Sequence, residues 1–220
     1  MQTSAGMRRL FLLYLSGKGM SDHFFLSKTF SLQIHMLNDM IVKEYIGRSI
    51  GGKEMASITF KNNPVTLVGN EVKVGDKAPD FAVLANDMST VTLESSKGKV
   101  RLFSVIPSID TGVCDAQTRR FNEEAAKLDN VQIITVSVDL PFAQRRWCAA
   151  SGIDKVMTVS DHKDLSFGKA YGVAIEEMRL LARAIFVVDS TDTVTYVEYV
   201  QEASNHPDYE KAIEAAKQAK

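Results

Sequence analysis

Cys114 and Cys148 are the only two cysteines in 220 residues, and the stretch PSIDTGVCDAQTRRF (107–121) gives the first an unusual setting. An apolar run, VRLFSVI, stops at Pro107; within seven residues come Thr111, a glycine and then Cys114 at the head of a helical pattern. A sulfur in the first turn of a helix meets unpaired N–H groups and the positive end of the helix dipole. Both favour an anion, so the thiolate gains on the thiol. Thr111, three residues earlier, brings a hydroxyl within reach of that sulfur once the chain turns. Pro107 removes a donor and fixes φ where the strand breaks into the loop, which shapes one wall of a pocket. Asp115 opposes an anion next to it, so this chemistry needs a cation from elsewhere in the chain. The same letters admit a plainer reading. Cys114, Thr118, Phe121, Ala125 and Leu128 fall on one helical stripe, and a free cysteine on a core-facing stripe is often only a small buried residue.

Arg183 is a source for the cation. It sits in the apolar run LLARAIFVVD, where an unpaired charge would be costly, so a partner is expected. An arginine stays charged and offers several donors at once. Arg119, Arg120 and Arg179 read as solvated or structural. Cys148 lies in PFAQRRWCAASG with Gln144 and Arg145 one turn before it. That predicts a polar helix face, a reachable thiol and a modest bias toward thiolate from Arg145.

The elements that must position these residues can be read from residue 55 onward. ASITF and PVTLVG, joined by Lys61-Asn62-Asn63, predict a hairpin. GDKAPDFAVLAND is a loop feeding a short strand. VRLFSVI (100–106) is apolar with little alternation, as in a strand buried on both faces. CDAQTRRFNEEAAKL predicts a helix, VQIITVSVD a strand and PFAQRRWCAASG a second helix, with Pro141 in its first turn and Gly152 near its end. VMTVS is a strand, DLSFGKAYGV a short helix, and ARAIFVVD and TVTYVEYV a hairpin about Ser190-Thr191-Asp192. PDYEKAIEAAKQA closes the chain as a helix with Pro207 near its first position. This order predicts an α/β domain with a mixed central sheet flanked by helices, and a thioredoxin-like arrangement fits it.

Composition agrees with an ordinary globular chain: 45% hydrophobic residues and a net charge of −1, with acids and bases interspersed. No basic stripe points to nucleic acid, and no apolar run approaches the ~20 residues of a membrane span. Two thiols in so long a chain suit a reducing compartment rather than a secreted disulfide scaffold. Residues 1–54 carry seven basic and four acidic residues, +3, which leaves −4 for the remainder. RRLFLLYLSGKG imitates a secretion signal, but its apolar run is too short and no cleavage site follows. Gly51-Gly52-Lys53-Glu54 has the purine-rich coding of a ribosome-binding site just before Met55. We therefore expect 1–54 to be an N-terminal extension outside the folded domain, either an over-called upstream region with Met55 the true start or a natural extension, and 55–220 to be the working domain.

Pro107, Thr111 and Cys114 spell P-x-x-x-T-x-x-C, which resembles the peroxidatic motif of peroxiredoxins. With DTGVC…RRFNEEAA, DLPFAQRRWCAASG, DLSFGKAYGV and LLARAIFVVD, the chain from Met55 onward is similar to the thiol peroxidase subfamily, the atypical two-cysteine peroxiredoxins of bacteria. The resemblance implies a thioredoxin-like fold with an N-terminal β-hairpin, and a peroxidase acting on hydrogen peroxide and organic hydroperoxides. It makes Cys114 the peroxidatic cysteine, shielded by Pro107, with Thr111 orienting the peroxide and Arg183 supplying the cation. It makes Cys148 the resolving cysteine, which closes an intrachain disulfide that thioredoxin reduces. It further implies a cytoplasmic homodimer needing no cofactor or metal, and no nucleic acid or membrane partner. A disulfide needs Cα atoms about 4.4–6.8 Å apart, so two helix-borne cysteines imply local unwinding on oxidation. Rival readings are weaker. A disulfide reductase would need C-x-x-C, which Cys114-Asp115-Ala116-Gln117 lacks, and Cys114, Cys148, His162 and His206 lack the paired spacing of a zinc site. A redox-switched sensor or holdase using the same disulfide is the remaining alternative.

Overall fold

The computed structural model describes residues 57–219, so the expectations for residues 1–54 and for a start at Met55 fall outside it. The chain opens with a hairpin of β1 (Ile58–Phe60) and β2 (Asn63–Val65), followed by β3 (Leu67–Val68). Phe60 pairs with Asn63, so the turn is two residues rather than three, and Lys61 and Asn62 both take positive φ (51° and 63°). That is the primed turn whose twist matches a hairpin. PVTLVG is thus divided between two sheets, because β3 leaves β2 and pairs elsewhere.

The remaining strands are β4 (Ala82–Ala85), β5 (Thr90–Thr92), β6 (Val100–Val105), β7 (Val131–Ser137), β8 (Met157–Ser160), β9 (Ala174–Ile175), β10 (Leu180–Leu181), β11 (Ala184–Val188) and β12 (Val194–Tyr199). The helices are α1 (Gly112–Ala125), α2 (Pro141–Ser151), α3 (Ser166–Ala170) and α4 (Tyr209–Gln218). A seven-stranded sheet runs in the order β12-β11-β6-β7-β8-β4-β5, and a three-stranded one in the order β10-β9-β3. Only the central β6-β7-β8 pairings of the large sheet are parallel, each joined by a crossover through α1 or α2. The mixed α/β sheet matches the reading from sequence, but β5 was missed there. Its three residues lie in a Ser- and Lys-rich stretch with too few positions to show a period.

Alternation along the strands divides the core. On one face Phe103, Val105, Ile134, Val136 and Phe186 pack with Phe81, Phe167 and Tyr171, the last two rings stacked at 4.1 Å. On the other, Val100, Leu102, Ile133, Ile185 and Val187 pack with Phe121 of α1 and Ala212, Ile213 and Ala216 of α4. Toward the end where β6 and β7 feed their helices this second face turns polar. Ser104, Thr135 and Thr158 are register partners across β6, β7 and β8, and Ser137 partners Ser160. All five hydroxyl residues are buried. Pro207 stands outside α4 instead of at its first position, because Asp208 is the cap and accepts from the Lys211 N–H. Among the described residues no helix is long and apolar enough to cross a membrane.

Candidate active site

β6 delivers the chain into the loop Ile106–Thr111, and α1 begins at once. Thr111 has the extended φ/ψ of a helix cap (−109°, 144°), but its hydroxyl makes no capping bond. It donates to Cys114 Sγ at 2.8 Å instead. Cys114 is the third residue of α1 and wholly buried, packed with Ile106 and Ile109 under a partly buried Trp147. Core-stripe burial and reactive placement therefore coincide in one residue. Pro107 is buried at the strand end.

Arg183 supplies the cation. Its Nη2 donates to Cys114 Sγ at 3.2 Å, its Nε to the Ala203 carbonyl at 2.9 Å, and its Nη1 to Gln117 Oε1. A buried guanidinium (2% exposed) is tolerable because these partners meet it. Gln117 is itself fixed by donating to Ser104 Oγ at 2.8 Å. Ala203 is held by the N-terminal hairpin, through Ala203 N–H to Thr59 O at 2.8 Å. Asp115 is drawn off the sulfur's account by Arg119, which donates to its carboxylate at 2.9 Å. A sulfur that accepts from a hydroxyl and a guanidinium at a helix N-terminus is arranged to act as a nucleophile.

The loop is tied from below by Asp139, which ends the VQIITVSVD segment. Its carboxylate accepts from Ser108 Oγ at 2.7 Å, the Ile109 N–H at 2.8 Å and Ser137 Oγ at 2.6 Å. The Thr118 hydroxyl bonds back to the Cys114 carbonyl at 2.9 Å, a pattern that weakens a helix turn slightly.

The environment of Cys148 differs from the expectation. Gln144, one turn earlier, is fully buried and donates to Ser137 Oγ and the Val159 carbonyl, so this face of α2 packs on the sheet. Arg145 is exposed and has no part in it. The Cys148 sulfur is half-buried 3.4 Å from Thr158 Oγ1, whose oxygen also accepts from Asn86 Nδ2 at 2.9 Å. Burial pushes its thiol above the usual 9.0, only partly offset by Thr158 and Asn86. Cys148 is thus a parked thiol, not a thiolate biased by Arg145. Both cysteines are free and each sulfur keeps its own partners. The structure therefore brings Thr111, Cys114 and Arg183 together, with Pro107 buried at the start of the same loop, while Cys148 meets Thr158 of β8. Sequence reasoning missed Gln117, Asp139 and Thr158. Gln117 alone left a signal, a polar residue three positions on from Cys114 and so on its buried side.

The Redoxin family pattern matches residues 73–213, which includes every one of these side chains. A thiol peroxidase of Halalkalibacterium halodurans is 78% identical over 165 residues, covering 75% of this chain and 99% of that protein. The chain is a redoxin of the thiol peroxidase family. The thiol peroxidase of Bacillus subtilis is 69% identical over 163 residues, 74% of this chain and 98% of its own. Among solved structures, a peroxiredoxin-like protein from Aquifex aeolicus superposes with a TM-score of 0.70 at 38% identity, covering 76% of this chain and 99% of that one. The thiol peroxidase family thereby accounts for a mixed sheet with flanking helices.

Proposed function

We propose that Cys114 is the peroxidatic and Cys148 the resolving cysteine of this redoxin, recycled by a thioredoxin-type dithiol. The chain is a thiol-dependent peroxidase. The observation that carries the assignment is the convergence of the Thr111 hydroxyl and the Arg183 guanidinium on Cys114 Sγ.

The Cys114 thiolate attacks one oxygen of a hydroperoxide; the O–O bond breaks, and the other oxygen leaves as water or an alcohol once protonated. Arg183 and Thr111 donate to the oxygens as charge moves from sulfur to the leaving atom, which lowers the barrier without any reorganisation at that moment. Cys114 is left as a sulfenic acid. The Cys148 thiolate then attacks that sulfur, an S–S bond forms, the S–O bond breaks and water leaves. Two electrons from an external dithiol restore both thiols by exchange. Hydrogen peroxide and organic hydroperoxides are both admitted as substrates. A homodimer acting in the cytoplasm completes the proposal.

Steady-state peroxide consumption with a thioredoxin system tests the roles. Cys114→Ser is expected to be inactive. Cys148→Ser should still form a sulfenic acid, trapped by a dimedone-type reagent, but turn over poorly. Full turnover by Cys114→Ser would overturn the assignment.

A further inference from the structure

α2 carries the resolving cysteine yet has little apolar hold on the sheet. Its fully buried residues are Pro141 and Gln144, and Gln144 is held by hydrogen bonds rather than packing. Cys148 lies in its last turn, where the Gly152 and Ile153 N–H groups cap the Cys148 carbonyl itself. Freeing Cys148 from Thr158 therefore means opening this turn. A helix end with few buried contacts is the part of a fold that opens most readily, and any side chain clasping it has leverage over the opening.

One side chain does so from the peroxidatic helix. Arg119, on α1, donates through Nη1 to the Ser151 carbonyl at 3.1 Å and through Nη2 to Ser151 Oγ at 2.9 Å. Ser151 is the last residue of α2, so the cation meets an otherwise unpaired terminal carbonyl at the negative end of the dipole. The same guanidinium lies 5.7 Å from the ring centre of Trp147, the neighbour of Cys148. Its Nε is anchored on Asp115, one residue after Cys114. A single planar fork thus spans Asp115, Trp147 and Ser151 and joins the first turn of α1 to the last turn of α2.

We propose that Arg119 is a positioning residue, a latch that keeps the resolving turn closed and so sets how fast Cys148 reaches the sulfenic acid at Cys114. The proposal rests on the roles assigned above to the two cysteines. Opening competes with a second hydroperoxide, which would carry the sulfenate on to sulfinic acid and leave as alcohol or water. The latch therefore sets a branching ratio, and losing Arg119 acts on the first attack only through the freed Asp115 carboxylate.

The test is rapid mixing of reduced protein with hydrogen peroxide, acid quench, thiol alkylation and intact mass, which separates dithiol, sulfenic acid, sulfinic acid and disulfide. Arg119→Met keeps the apolar stem and loses the fork; Arg119→Lys keeps the charge without it. Sulfenic acid formation should slow modestly, because Asp115 loses its ion pair beside the sulfur, while disulfide formation quickens roughly three- to tenfold in Arg119→Met, the scale of one or two partly exposed charge-assisted bonds. Arg119→Lys should fall between, and sulfinic acid at high peroxide should drop in the same order. Ser151→Ala, which removes the hydroxyl acceptor alone, should show a smaller change of the same sign and serves if Arg119→Met does not fold. Unchanged disulfide formation in Arg119→Met or Ser151→Ala, or a change confined to the first step, overturns the latch. If wild type itself forms no Cys114–Cys148 disulfide, the cysteine roles fail instead.

Discussion

Arg183 carries a greater burden than any other single side chain near the reactive sulfur, since Gln117, Ala203 and Cys114 all spend polar atoms on it. Arg183→Met should slow sulfenic acid formation roughly a hundredfold, the usual cost of losing an oriented donor at a charge-developing centre. Stopped-flow peroxide consumption checks it, and a rate near wild type would deny Arg183 that role. Cys148 gives a second prediction at this scale. Because burial holds its proton more tightly than an ordinary thiol near 9.0, disulfide formation should accelerate as pH climbs through the alkaline range. The sign for stability is the reverse. The unfolded thiol ionises first, so this group's contribution is full below its ordinary value and is lost as pH rises. Quenched-flow mass analysis across pH would expose a flat disulfide rate, the outcome that contradicts it. Arg183 was legible because a charge in an apolar run demands a partner. Thr158 and Arg119 were not, since their partners sit on other elements and only the fold supplies the register.

Among elements, the peroxidatic loop depends on Asp139, whose carboxylate meets two hydroxyls and one N–H. Asp139→Ala leaves these groups unpaired and should lower stability by about 1–3 kcal/mol in chemical denaturation. Loss within a few tenths would mean that the loop holds itself. The N-terminal hairpin offers a pH test. Glu202 accepts from the Thr59 hydroxyl and from the Lys61 and Asn62 N–H groups, and the Thr59 hydroxyl chiefly holds its carboxyl down at about 2. A depressed carboxylate contributes above its ordinary value near 4.5, and that contribution fades as pH falls toward the folded value. Amide exchange at Lys61 and Asn62 should quicken over that interval relative to the base-catalysed trend. Hairpin and helices were readable because turn residues and periodicity are local. β5 and the parting of β2 from β3 were not, because short strands are chosen by their neighbours.

For the whole molecule, oxidation should be a local event on a fixed frame. Hydrogen exchange of the disulfide form ought to rise in the first turn of α1 and the last turn of α2 and stay unchanged in β6, β7 and β11, which are paired on both sides. Equal protection in the two redox states would contradict the proposed unwinding. The buried row of Ser104, Thr135 and Thr158, with Ser137 and Ser160 beside it, bears on what that opening exposes. In most α/β folds the sheet beneath a helix is greasy, and lifting the helix bares a patch that sticks to other molecules. Here the lifted turn of α2 uncovers the Thr158 hydroxyl, while the lifted turn of α1 uncovers Ile106 and Ile109. The surface bared in each cycle is therefore only part polar: water can solvate the Thr158 hydroxyl directly, whereas Ile106 and Ile109 have to be covered again when the turns reclose.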